Sequence, residues 1–138
     1  LLKASVIHDV IEDVPDFNRN QILEIDSESG QVYDLVMEVT KTEGQIKSDY
    51  LKRIIEKGSH KAKVLKCADR ISNMISLGFV TNPEFIERYC EETELYIFPI
   101  ALEVNFDMYQ ELIQLVISRR QYLEDSGFLC RRIDSREN

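Results

Sequence analysis

The sequence predicts an all-α fold, on three observations. Apolar residues recur at i, i+3, i+4 and i+7 through most of the chain, as in Val32, Leu35, Val36 and Val39 or Tyr109, Leu112, Ile113 and Val116. No stretch alternates convincingly between apolar and polar residues, as a half-buried strand would. Helix starts and stops punctuate the periodic segments, most clearly Asn82 followed by Pro83.

The first helix, from Leu1, should stop near Asp13, because Pro15 disfavours helical geometry at Val14 and Asp16 and Asn18 form turns and caps. A short second helix through Ile22, Leu23 and Ile25 should end in a turn from Ser27 to Gly30. A third carries Val32 to Val39, and the glycine-containing stretch Lys41 to Lys47 reads as a flexible loop. Ser48 or Asp49 is suited to cap a fourth helix through Leu51, Ile54 and Ile55, closed by Gly58. A longer helix should run from about Lys61 to Leu77 and stop at Gly78, with Leu65, Ala68, Ile71, Ser72 and Ile75 on one face. Asn82 and Pro83 open the next helix, which Pro99 should bend or break near Leu95 to Phe98. The last helix is expected over Phe106 to Leu123, with a charged, frayed tail.

With 138 residues, 43% of them hydrophobic, the chain is the size of one domain with a real core, and a single domain over residues 1–138 is expected. Seventeen Lys and Arg against 25 Asp and Glu give a net charge of −8, which argues against broad nucleic-acid binding or an anionic membrane surface. No apolar run approaches the ~20 residues of a membrane span. Cys67, Cys90 and Cys130 are far apart with no CxxC, which suits a reducing, cytoplasmic setting, and Cys67 and Cys90 read as core packing. A homodimer is compatible with the sequence. Leu1 begins inside a helical pattern with no cap before it, so a preceding segment is expected.

Chemistry concentrates in two stretches. In VIHDVIED, Val6 to Asp13, His8 and Glu12 are i and i+4, and Asp9 and Asp13 form a second such pair. Val10 and Ile11 sit where a surface helix places charge, so the helix should be buried with its polar cluster opening into a cleft. In KCADRISNM, Lys66 to Met74, Asp69 and Asn73 share one face, with Lys66 a turn before Asp69. One imidazole and two carboxylates, His8, Asp9 and Asp69, suit manganese, iron or magnesium better than structural zinc. The residue types alone fit a second reading equally well, a helix end whose carboxylates fray into solvent. Asp69 next to Arg70, taken alone, reads more readily as half of a surface ion pair. Lys61, Lys63 and Lys66 could receive phosphates, although Lys61 and Lys63 fit a solvated helix face better. His60 lies about 13 Å along the helix from Asp69 at ~1.5 Å per residue, too far to share its ion. Tyr89, Tyr96 and Tyr109 are spaced as packing residues.

IHDVIED and KCADRISNM, about sixty residues apart on a helical chain, resemble the HD-domain metal phosphohydrolases. More narrowly the chain resembles the hydrolase domain of the RelA/SpoT-type alarmone enzymes and the small alarmone hydrolases. Their LV..VTK is matched by GQVYDLVMEVTK, their LADR..NM.TLG by CADRISNMISLG, and their ET.E.Y.P.A by EETELYIFPIALEVN. The likeness covers Leu1 to about Asn105. It implies an HD-domain helical bundle in which His8, Asp9 and Asp69 hold one manganese ion and Glu12 and Asp13 orient or deprotonate the attacking water. Asn73 and Ser76 then fall where the family contacts the nucleotide or its phosphate, and Lys66 joins them on the substrate side. The implied substrate is a guanine nucleotide, guanosine 3′,5′-bis(diphosphate), hydrolysed at its 3′ pyrophosphate, with no synthetase activity expected. Two family features are missing: an arginine at the place of Ile75, and an upstream metal-binding His with its basic segment. The rival readings are an HD phosphohydrolase for another nucleotide and a catalytically idle nucleotide-binding regulatory module.

Overall fold

The computed structural model describes residues 29–128, which are all-α: every regular element among them is helical. They fall into two compact units, with the division inside one helix, between Asp69 and Arg70. The expected first two helices and the charged tail lie outside the described residues.

The first unit contains α1 (Ser29–Val39), α2 (Lys47–Lys57) and the N-terminal part of α3 (His60–Ser76). Ser29 and Gly30 were expected in a turn before α1, yet both belong to its first turn. Val36 and Val39 pack on Ala62 and Leu65, with Val32 and Leu35 alongside. The C-terminal carbonyls of α1 are satisfied partly by Thr40, whose Oγ1 donates to the Val36 carbonyl at 2.8 Å, and partly from α2. Tyr50 Oη donates to the Val39 carbonyl, and Arg53 Nη2 donates to those of Glu38 and Thr40 at 3.2 and 3.3 Å.

The loop over residues 40–46 lies where the sequence puts it, and Gly44 takes a φ of +75° that glycine adopts without strain. Neither Ser48 nor Asp49 caps α2. The helix already begins at Lys47, Ile46 makes no side-chain cap bond, and Asp49 sits in the first turn, where its charge meets the positive end of the helix. Gly58 closes α2 as expected, but its φ of −64° is one any residue can adopt. Close approach explains the glycine: a Cβ would lie 2.5 Å from the Ile54 carbonyl oxygen. Ser59 then opens α3, its Oγ accepting from Ala62 N at 3.2 Å, while the Glu38 carboxylate accepts from Ser59 N and Oγ at 2.9 and 3.1 Å.

The second unit contains the rest of α3, a 3₁₀ turn (Leu77–Phe79), α4 (Pro83–Glu92), a π-helical turn (Thr93–Ile97), α5 (Phe98–Val104) and α6 (Phe106–Asp125). Asn82 Oδ1 accepts from Phe85 N at 3.1 Å with Pro83 in the first turn, as the sequence predicts. Pro99 brings no N–H and its ring crowds the carbonyl four residues back, so the chain widens into the π turn just before it. Asn105 caps α6 by accepting from Met108 N at 3.0 Å. The core joins Met74, Leu77, Ile86, Cys90, Val116 and Leu123, with Tyr89 and Phe98 packed against it.

The inner face of α3 matches the expected one at Leu65, which is buried, and differs from it further along. Ala68, Ser72 and Ile75 are exposed, and Ala62, Lys63, Lys66, Cys67, Arg70, Met74 and Leu77 are buried. Long side chains hide this face from a hydropathy reading, since Lys and Arg bury aliphatic stems while their charged ends find partners. Lys63, expected on a solvated face, is therefore a buried residue, whereas Lys61 is exposed.

Candidate functional site

Asp69 is placed by α3, and its Oδ2 accepts from Lys66 Nζ at 3.0 Å, an i, i+3 pair whose side chains are 25% and 10% exposed. Asp69 is thus half of an ion pair, but with Lys66 rather than Arg70. The ammonium of Lys66 also lies 5.5 Å from the centre of the Tyr50 ring, a cation–π contact that fixes it from the α2 side. Tyr50 is itself held by its bond to the Val39 carbonyl. Lys66, expected among the substrate contacts, here meets Asp69 and the Tyr50 ring.

Asn73 and Ser76 follow Asp69 at i+4 and i+7 on α3, and both are exposed. Ser76 Oγ donates back to the Ser72 carbonyl at 3.2 Å. His60 is the first residue of α3 and exposed, in keeping with a helix-start role. Among the described residues no three His, Cys, Asp or Glu side chains come together to hold a metal ion. His8, Asp9, Glu12 and Asp13 lie outside the described residues, as does Cys130. No helix among the described residues is long and apolar enough to cross a membrane.

Arg70, next to Asp69 in sequence, points into the second unit. It is 2% exposed, its Nη2 lies 2.6 Å from Glu92 Oε1, and its guanidinium carbon sits 4.2 Å from the centre of the Tyr89 ring. Thr93, wholly buried, accepts from Arg70 Nη1 at 3.4 Å and donates to the Tyr89 carbonyl at 2.7 Å. Sequence reading missed these partners, because residues more than twenty positions apart leave no periodic signal. Tyr89 packs as expected, stacked on Phe85, and Tyr109 meets Phe98 edge-on. Cys67 and Cys90 are free and buried, as core packing requires.

No family model matches the chain, and no curated protein matches it.

Proposed function

We propose that this chain is a metal-dependent phosphohydrolase of the HD-domain kind, which removes pyrophosphate from the 3′ position of guanosine 3′,5′-bis(diphosphate). What supports the reading is the meeting of motif and geometry on α3. Within KCADRISNM, Asp69 presents a partly exposed carboxylate oriented by Lys66, and Asn73 and Ser76, later in the same motif and just after it, are exposed. A carboxylate oriented by a neighbouring hydrogen-bond donor is how metal ligands are commonly kept in place. The donor set of His8, Asp9 and Asp69 fits one manganese ion, a hard ion that takes carboxylate oxygens and accepts an imidazole nitrogen beside them.

When bound, such an ion supplies a water of lowered pKa and a positive charge against the phosphoryl oxygens. Glu12 or Asp13 takes the proton from the attacking water or fixes its direction. Asn73 and Ser76 offer hydrogen bonds to ribose, base edge or phosphate. Lys66 holds Asp69, and the buried, unpaired thiols fit a reducing cytoplasm.

The test is a pyrophosphate-release assay with manganese on full-length protein, over a panel of guanine and adenine nucleotides, beside manganese titration of wild type and Asp69→Ala. Release from guanosine 3′,5′-bis(diphosphate), with binding lost in the variant, supports the reading. Release only from another nucleotide moves the substrate. Binding of ion and nucleotide with no turnover would leave a regulatory module in place of an enzyme.

A further inference from the structure

Helix α6 lies beyond the segments that carry the family likeness, yet its Arg119 reaches the C-terminal end of α3. Arg119 Nε donates to the Met74 carbonyl at 3.2 Å and Nη2 to that of Ile75 at 3.4 Å. Carbonyls in the last turn of a helix lack intrahelical donors and carry its negative partial charge, so a guanidinium there satisfies both needs. Gly78 supplies a second, independent sign that the fit is close. A Cβ at Gly78 would stand 3.1 Å from both terminal nitrogens of Arg119, tighter than ordinary contact. The stretch of α3 that this guanidinium clamps is the one that carries Asn73 and Ser76.

We infer that Arg119 is a positioning residue for nucleotide binding, acting through the last turn of α3 to hold Asn73 and Ser76 where they meet the ligand. The inference rests on the hydrolase reading, which makes those two residues nucleotide contacts. Without the guanidinium, the Met74 and Ile75 carbonyls turn to water and the last turn loosens. Asp69 lies further back, under its own bond from Lys66, and keeps its place. The effect therefore belongs in nucleotide affinity and not in metal affinity or the chemical step.

The experiment measures KM, kcat, manganese affinity and Tm for Arg119→Met, Arg119→Lys, Gly78→Ala and Asn73→Ala, with guanosine 3′,5′-bis(diphosphate) as substrate. Arg119→Met should raise KM about 3- to 10-fold, the range of a cation at a helix C-terminus, with kcat and manganese affinity within about twofold of wild type. Arg119→Lys should recover part of the loss. Gly78→Ala keeps the arginine and crowds it, so it should raise KM in the same direction by less, and it decides the matter even if Arg119→Met folds poorly. If Asn73→Ala raises KM while Arg119→Met and Gly78→Ala lower only Tm, the inference falls and the nucleotide assignment stands. If Asn73→Ala leaves KM unchanged, the assignment falls and takes this inference with it.

Discussion

Arg70 and Glu92 form an ion pair of 2.6 Å that ties α3 to the end of α4, and so joins the CADR and EETE stretches of the sequence. Arg70 is almost wholly buried, and Glu92 keeps a fifth of its side chain in water. Removing one partner of a fully buried pair is worth about 3 to 5 kcal/mol, and exposed pairs typically about 0 to 1. Glu92→Gln should therefore destabilise the protein by roughly 2 kcal/mol, between those limits. Glu94, which accepts two bonds from Arg120, at 2.5 and 2.8 Å, but whose side chain is 37% exposed, serves as the control. Glu94→Gln should lose under about 1 kcal/mol. Urea unfolding of both variants measures the difference, and equal losses would mean that burial does not set the worth of these pairs.

On the proposed hydrolase reading Glu12 and Asp13 serve the chemistry and not the binding of the ion, since they stand a turn past His8 and Asp9 in the sequence pattern. Glu12→Gln and Asp13→Asn should keep manganese and reduce turnover, by about 10²- to 10⁴-fold where the lost group is a general acid or base. Wild-type rates in both variants would remove them from the mechanism.

Cys67 and Cys90 make a prediction in pH. Burial pushes the Cys67 thiol up to about 12 against a weaker pull from Lys66, and the Cys90 thiol up to about 11 against Arg120. Unfolded thiols titrate near 8.5, so above that pH the unfolded chain releases protons that the folded chain retains. The stability these thiols contribute is complete below about pH 8.5 and is lost as pH rises from there toward 11 and 12. The urea midpoint should fall between pH 8 and pH 10, and by less in Cys67→Ala. Because the thiolate is the reactive form, neither residue should label with a thiol reagent at neutral pH until the protein is unfolded. Fast native labelling of either, mapped by mass spectrometry, would contradict this.

Helix boundaries were legible where a local residue sets them. Asn82 with Pro83, Pro99 and Gly58 act within a turn of their own position, and each acts where the sequence places it. Ser48 and Asp49 were misread because α1 and α2 meet through Tyr50 and Arg53, which fix the start of α2 without a side-chain cap. The inner face of α3 was misread because Lys63, Lys66 and Arg70 bury their stems, while Ile75 remains half exposed. At the site, the spacing of Lys66 and Asp69 placed them a turn apart on much the same side of one helix. Tyr50 over Lys66 and Arg119 over the end of α3 are tertiary contacts, and no local pattern in the chain encodes them.

Lys66 tests whether the candidate site uses its lysine on the protein or on the substrate. Its ammonium lies 3.0 Å from Asp69 Oδ2 and 5.5 Å from the centre of the Tyr50 ring, and the residue is only 8% exposed. A lysine offered to phosphate would need its charged end turned toward solvent, whereas this one is fixed on both sides. If Asp69 is a manganese ligand, as proposed, Lys66→Met should act on manganese affinity through it, with KM for nucleotide changed by less than about twofold. Losing a group that holds a metal ligand from behind typically lowers affinity about 10- to 100-fold. The lysine charge itself opposes an arriving cation, so the net loss belongs at the low end, about tenfold. Tyr50→Leu should follow the same direction more weakly, because it removes the ring contact and leaves the ion pair. Manganese titration beside steady-state kinetics separates the two roles: unchanged metal affinity with a raised KM in Lys66→Met would return this lysine to the phosphate.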